Sequence, residues 1–314
     1  MNSLKVCFIG IGSIAKRHIT NLRYICNDKH IELLLDAARS SERALPDNIN
    51  DLINKTYYSL DAIPNDYDVV FITNPTEFHI DTLKKVHHKA RCFFIEKPIV
   101  SFSKIHEATD LVPIDEKLYY VACPLRYTNV IQYLKENIKV EDVISIRCIS
   151  SSYLPEWRPG IDYRKTYSAQ RVLGGGVSID LIHEWDYLTF LFGTPNRVQC
   201  MIGKKSRLEI DSDDYAIYIA EYKDKILELH LDYFGRKPIR NITLFTDEDT
   251  IECDLIASRI EYKKSGKVIE FGEVRNDFQI KELEYFLSLV ENNINSYKEY
   301  EHAIKVLRLT QGDL

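Results

Sequence analysis

No stretch of this sequence approaches the roughly 18 consecutive apolar residues that suggest a membrane span. Its start, Met1-Asn2-Ser3-Leu4-Lys5, lacks the long apolar core of a signal peptide and runs directly into strand-forming residues. The seven cysteines are odd in number, scattered and never in CxxC spacing, so neither a disulfide framework nor a zinc site is indicated. They suit a reducing cytoplasm, and no metal is expected. Positive charge is not in excess: the net charge of −6 argues against nucleic acid as a main partner. Internal repeats, low-complexity tracts and flexible linkers are absent as well. What remains is a hydrophobic fraction of 45% and a charged fraction of 28%, those of a soluble globular protein, in 314 residues that allow two domains.

The first half alternates strand, helix and strand, which implies a doubly wound parallel sheet of the Rossmann kind ending near Cys123. Lys5–Ile9 reads as a strand, Lys16–Tyr24 as a helix, and Gly10-Ile11-Gly12-Ser13-Ile14-Ala15 lies between them. This is GxGxxA in strand–turn–helix context. Gly10 makes the tight turn, Gly12 lets a pyrophosphate approach the backbone, and Ala15 permits close packing. The helix N-terminus, at Ser13 and Ile14, receives the negative charge. The competing reading is a merely tight strand-to-helix turn.

The second strand spans Ile31 to about Ala37, and its end bears on the choice between NAD and NADP. Asp36 is a candidate for the ribose 2′-hydroxyl, but it lies beyond the usual spacing from the first glycine. Arg39, followed by Ser40 and Ser41, looks like a pocket for a 2′-phosphate. The balance leans slightly to NADP. Leu45–Asn54 reads as an amphipathic helix.

Two further apolar runs end in polar turns. Asp68–Thr73 leads into Asn74-Pro75-Thr76-Glu77-Phe78-His79 and a helix from His79. Cys92–Ile95 leads into Glu96-Lys97-Pro98. Ligands of open α/β sheets sit just beyond the carboxyl ends of the strands, which makes Thr73, Asn74, Pro75, Glu96 and Lys97 candidate cofactor contacts. His79 belongs with them, unless it merely packs at its helix start.

The second half reads as α+β. Asn129–Asn137 is a helix and Val143–Tyr153 a strand of a new sheet. An irregular stretch follows, with Trp157, Arg158, Tyr163, Arg164 and Tyr167. Such a loop suits a polyhydroxylated or anionic ligand, or packs its own aromatics. Leu173-Gly174-Gly175-Gly176 opens a helix over Val177–Phe192, ended by Gly193. At 100° per residue Asp180, His183, Glu184 and Tyr187 share one face. As i, i+3 neighbours, Asp180 and His183 can meet as an oriented general base; the alternative is a solvated polar face. Asp211–Asp214 reads as a solvated turn. Strand-like runs continue to Val268–Phe271 as an open, mostly antiparallel sheet. Helices over Phe278–Glu291 and Glu299–Leu309 close the chain. The expected domains are 1–123 for the dinucleotide and 124–314 for substrate and oligomerisation.

Gly10–Ala15, Thr73-Asn74-Pro75 with His79, and Glu96-Lys97-Pro98, each at a strand end and in this order, resemble the Gfo/Idh/MocA oxidoreductase family. The resemblance implies that Lys97 is catalytic, that Pro98 is commonly cis, and that His183 is the catalytic histidine. It places Asp186 among substrate contacts, with Arg126, Arg158 and Tyr163 as further candidates. The inositol enzymes of the family carry their aspartate four residues before the histidine, where this chain has Ile179. Asp180 is therefore the less secure third catalytic candidate, and inositol a poor substrate guess. The order Gly-Gly-Gly-x-x-x-Asp-x-x-His-Glu-x-Asp is similar to a subgroup of surface-polysaccharide sugar enzymes. The implied activity is hydride transfer between NAD(P) and the alcohol or ketone of a sugar or sugar derivative, possibly a nucleotide-sugar. His183 would take the proton and Lys97 stabilise the oxygen, or the reverse. A non-catalytic NAD(P)-binding regulator and a lyase or hydrolase that uses NAD in a transient oxidation stay open. The resemblance also implies a homo-dimer or homo-tetramer through the second sheet, with Tyr215, Tyr218 and Tyr222 as interface candidates.

Overall fold

The structure is a computed structural model that describes residues 1–111 and 117–314. Its strands are β1 (Ser3–Ile9), β2 (Glu32–Ala38), β3 (Lys55–Tyr57), β4 (Tyr67–Ile72), β5 (Ala90–Ile95), β6 (Leu118–Val121), β7 (Val143–Tyr153), β8 (Arg197–Gly203), β9 (Tyr215–Glu221), β10 (Ile226–Asp232), β11 (Phe234–Thr246), β12 (Thr250–Asp254), β13 (Arg259–Tyr262) and β14 (Val268–Glu270). The helices are α1 (Ser13–Asp28), α2 (Asp47–Asn50), α3 (His79–Val86), α4 (Ile105–Asp110), α5 (Asn129–Asn137), α6 (Val177–Asp180), α7 (Ile182–Phe192), α8 (Asp277–Glu291) and α9 (Lys298–Leu309). The chain divides into two units: residues 1–122 with 279–304, and 123–278 with 305–314.

In the first unit six parallel strands stand in the order β3-β2-β1-β4-β5-β6. This is the classic order of a dinucleotide-binding sheet, reversing between β1 and β4. Val6, Phe8, Val69, Phe71, Phe94 and Tyr120 are fully buried, as strands covered on both faces require. The unit is not the contiguous stretch expected from the sequence. Leu283, Phe286, Leu287 and Val290 of α8 join the same core, and the Phe286 ring meets Phe71 and Phe94 edge-on at 5.9 and 5.1 Å. The sheet's apolar face needs this cover, so the chain returns to it.

The helix expected over Leu45–Asn54 is only the single turn Asp47–Asn50. Asn54 is drawn to the sheet instead: its backbone N–H donates to Leu35 O (2.7 Å), and its side-chain Oδ1 accepts from Leu35 N (2.8 Å).

The second unit holds eight strands in the order β14-β13-β12-β11-β7-β10-β9-β8, antiparallel except for β7 with β10. One face alternates inward: Ile146, Cys148, Tyr218, Ala220, Leu229 and Leu244 are buried. Trp185 of α7 packs edge-on against Tyr218 at 5.2 Å. Tyr218 and Tyr222 are thus inner-face residues, not interface candidates. Their hydroxyls donate to the carbonyls of Thr310 (2.8 Å) and Gly193 (3.2 Å). The acidic run is not solvated either. Ser212 and Asp214 are fully buried, and Asp214 accepts from the backbone of Lys205 and Ser206 at 2.8 Å. All seven cysteines are unpaired, and among the described residues no helix is long and apolar enough to cross a membrane.

Candidate functional site

In the first unit the expected residues gather at the carboxyl ends of the adjacent strands β1, β4 and β5. Gly10 has φ +86°, and a Cβ there would lie 2.7 Å from Asn74 Cα, so only glycine fits the crossing. Gly12 is the opposite case: a Cβ would meet nothing within 4 Å. Gly12 caps the 16-residue α1 without a side-chain bond, and no acidic residue lies in the first turn at Ser13 and Ile14. The open N–H groups and the helix dipole leave room and positive potential for a phosphate.

Thr73 buttresses this turn. Its hydroxyl donates to Gly10 O at 2.7 Å, with Ile9 O at 3.1 Å. Pro75 precedes a short turn, and the Asn74 amide donates to Thr82 Oγ1 (2.8 Å). Asn74 Oδ1 is buried with no hydrogen-bond partner among the described residues. A buried acceptor of this kind, in the strand-end turn that crosses Gly10, suits a hydrogen-bond donor of a hydroxyl-rich dinucleotide. The residues present fit the cofactor.

Lys97 stands just past β5, in a turn whose Lys97–Pro98 peptide is cis. Two buried histidines flank the turn. His18 of α1, which the sequence reading missed, lies with Nε2 2.5 Å from Glu96 Oε1. Burial pushes the Glu96 carboxyl up, but the His18 bond and the charges of His18 and Lys97 outweigh it and hold it below its ordinary value. His79, 2% exposed, has Nε2 2.8 Å from Asn74 O and Nδ1 3.1 and 3.2 Å from Pro98 O and Ile99 O. Burial holds its pKa below the ordinary imidazole value. Both nitrogens of His79 therefore face backbone carbonyls, and the neutral ring has one N–H to donate to them. Expected as a cofactor contact, it instead ties the end of β4 to the turn after β5. Glu96 likewise meets His18.

Asp36 is a correction. It lies inside β2, 9% exposed, and its Oδ2 accepts the Tyr67 hydroxyl at 2.7 Å. Ala38 ends the strand, and Arg39 follows, its backbone N–H on Tyr57 O and its guanidinium on Arg43 O. Ser40 and Ser41 beyond it are exposed.

In the second unit the expected helix over Val177–Phe192 breaks at Leu181 (φ −96°, ψ 33°) into α6 and α7. Adjacency of Asp180 and His183 on one continuous helix face thus loses its basis. The polar side is not solvated. Asp180, 6% exposed, accepts the Tyr233 hydroxyl at 2.5 Å, and its charge also acts on Tyr167. Glu184, fully buried, accepts Arg240 Nε at 2.8 Å. On an unbroken helix the two carboxylates would stack at i, i+4; the break serves two separate partners. Burial and the Asp180 charge push the Tyr233 phenol well up. His183 is half-buried at the first turn of α7.

Arg126 and Asp186 form an enclosed bidentate pair, Nε–Oδ2 2.8 Å and Nη2–Oδ1 2.6 Å, with Cys123 Sγ 3.1 Å from Oδ1. At 5% and 4% exposure their polar atoms face each other, which fits a structural pair better than the substrate contacts expected. Arg158 lies exposed over the Tyr167 ring at 5.3 Å, and the Tyr163 hydroxyl accepts from Glu209 N at 3.2 Å. Tyr233, Tyr67 and Arg240 carried no sequence signal, and Tyr167 reads only as part of the irregular loop. Their roles come from tertiary placement alone.

Sheet order, glycine turn and open helix end define a dinucleotide-binding domain, joined here to a mostly antiparallel second unit. Residues 4–122 match the model of the oxidoreductase family with NAD-binding Rossmann fold, GFO_IDH_MocA, and residues 131–251 match the GFO/IDH/MocA C-terminal domain. The chain belongs to the Gfo/Idh/MocA oxidoreductase family. It is 25% identical over 189 residues to the uncharacterized oxidoreductase YrbE of Bacillus subtilis (strain 168), a match covering 59% of this chain and 53% of that one. The match thus spans about half of that relative's length. The fold is similar to UDP-N-acetylglucosamine 3-dehydrogenase GnnA from Acidithiobacillus ferrooxidans (TM-score 0.78, 19% identity, 99% of this chain and 96% of that). It is also similar to levoglucosan dehydrogenase in complex with NADH and levoglucosan (TM-score 0.83, 15% identity, 99% and 95%).

Proposed function

We propose that the protein is an NAD(P)-dependent dehydrogenase or reductase that interconverts the alcohol and ketone of a sugar or sugar derivative. The observation that carries this reading is the Gly10–Gly12 turn at the open end of α1, beside the Lys97 turn on the same sheet. When bound, the nicotinamide exchanges a hydride with the substrate carbon. Gly10, Gly12, Ser13, Ile14, Thr73, Asn74 and Pro75 would hold the dinucleotide. An alcohol near neutral pH is a poor hydride donor, so its proton must leave in step. We assign that proton to His183 and stabilisation of the oxygen's developing charge to Lys97; the exchanged roles are chemically equivalent. Asp180, with Tyr233 on it, fits a buried anchor of α6 better than a second base. A sugar panel followed by reduced-nicotinamide absorbance tests the reading. Net NAD(P)H formation supports it. Product without net reduction points to transient oxidation, and absence of dinucleotide binding at millimolar concentration removes the premise.

We further propose a preference for NADP. The only carboxylate of β2's inner half, Asp36, is taken by Tyr67, and an arginine stands where an acidic residue would receive the 2′-hydroxyl. Arg39→Ala is expected to weaken NADPH binding about tenfold or more, the effect of losing charge-assisted hydrogen bonds, and to change NADH binding little. Equal loss for both dinucleotides in a fluorescence titration refutes the preference.

The outer face of the second sheet is proposed to pair with a second copy of this chain. Met201 and Ile219 are 64% and 42% exposed there, and Ile217 lies opposite Met201 in register. An apolar row at the β8 edge of an open sheet calls for cover. Met201→Asp should yield monomers by sedimentation; an unchanged assembly excludes this face.

A further inference from the structure

His18 lies within the first two turns of α1, on the face that Ala15, Ile19 and Leu22 bury. It is 1% exposed, and its ring stands edge-on to Phe94 at 5.0 Å. An apolar side chain would pack there without the cost of desolvating ring nitrogens. Nδ1 bears that cost uncompensated, buried with no hydrogen-bond partner among the described residues. The hydrogen bonding of the ring is directed at one contact, Nε2 to Glu96 Oε1 at 2.5 Å. Glu96 is held below its ordinary carboxylate value, and an ionised carboxylate only accepts, so Nε2 carries a proton.

Glu96 is the residue that leads into Lys97, and it is fixed at both main chain and side chain. Its backbone N–H donates to Ile72 O at 3.0 Å, which carries the β4–β5 ladder one residue beyond the strand. Its two carboxylate oxygens divide: Oε1 takes His18, and Oε2 accepts the Lys97 backbone N–H at 3.3 Å. His79, the other buried histidine of this turn, faces the carbonyls of Asn74, Pro98 and Ile99 instead. Holding the carboxylate on the helix side therefore falls to His18.

A carboxylate one residue before an ammonium is a ready counter-ion for it, and the Lys97 charge does act on Glu96. A lysine that stabilises developing negative charge on a substrate oxygen does so less well once a carboxylate neutralises it. With both oxygens engaged by N–H donors, Glu96 is kept turned toward α1. The same helix thus carries an open N-terminus for phosphate and, within two turns, the tie to the Lys97 turn.

We propose that His18 is a positioning residue for Lys97: it holds Glu96 against α1, which fixes the residue leading into Lys97 and keeps that carboxylate from closing on the ammonium. This rests on the reading of Lys97 as the group that stabilises the substrate oxygen. The test needs no substrate. The full chain is labelled with a trace of acetic anhydride, and acetylation of Lys97 is compared by mass spectrometry with that of Lys84 and Lys104, ion-paired lysines of the same unit. His18→Phe keeps a ring beside Phe94 and removes the donor. In it Lys97 is expected to acetylate about threefold or more slowly, the effect of a partly exposed ion pair on the reactive amine, while Lys84 and Lys104 are unchanged. His18→Gln, which returns an N–H donor, should recover most of the wild-type rate. With Glu96→Gln in addition, His18→Phe should no longer slow Lys97, because no charged carboxylate remains to pair with it. His18→Leu takes the place of His18→Phe if the aromatic variant fails to fold. Equal Lys97 rates with and without the donor, a parallel change in all three lysines, a His18→Gln rate as low as that of His18→Phe, or slowing that survives Glu96→Gln each overturns the proposal. NADPH binding, measured first by fluorescence, reports separately on the dinucleotide reading, and turnover of Lys97→Ala on the catalytic one.

Discussion

Lys97→Ala and His183→Ala are each expected to lower turnover about 10²- to 10⁴-fold, the range for removal of a positioned acid–base or charge-stabilising group. Dinucleotide affinity should stay within about twofold. Lys97 stands in a turn whose neighbours on both sides are bonded elsewhere: Glu96 to His18, and Pro98 and Ile99 to His79. Truncating its side chain leaves those bonds in place, so the loss belongs to the chemistry rather than to the fold. His183 lies in the first turn of α7, whose register is held by Glu184 on Arg240 and by Asp186 on Arg126, and its truncation spares both. Full turnover by either variant on the true substrate, with folding intact by circular dichroism, ends the catalytic assignment.

Asp186→Ala is expected to destabilise the protein by about 3–5 kcal/mol, because it strands the Arg126 guanidinium without its counter-charge in a buried setting. The double variant Arg126→Met/Asp186→Leu should recover most of the loss, since removing both charges also removes their desolvation cost. Urea midpoints at constant slope measure both quantities. If Asp186→Ala unfolds like wild type, the pair is not a structural element, and Asp186 returns to the list of substrate contacts.

The first sheet was legible because its strands are unbroken apolar runs, each ending in a polar turn, and Gly10, Gly12 and Lys97 fall at those ends by spacing alone. Asp36 misled for a physical reason. A carboxylate near a strand's end looks the same whether it faces a ligand or a tyrosine across the sheet, and Tyr67 is 31 residues away in sequence. The helix over Val177–Phe192 reads as continuous at 100° per residue, and nothing local announces the break at Leu181. Its partners Tyr233 and Arg240 arrive more than fifty residues later. The tyrosines of β9 show the same limit. Alternation marks two faces but does not say which one the helices cover.

The return of α8 to the first core bears on how such a gene can be cut and recombined. A fragment ending at Ala122 carries every dinucleotide contact named here, yet it leaves the faces of Phe71, Phe94 and Tyr120 without the Phe286 ring that meets them. The nucleotide domain is therefore not a cassette with one seam. Transplanting it into another chain means carrying two separate exchanges together, because a fragment cut only once keeps α1 on that face but leaves the part that α8 covers bare.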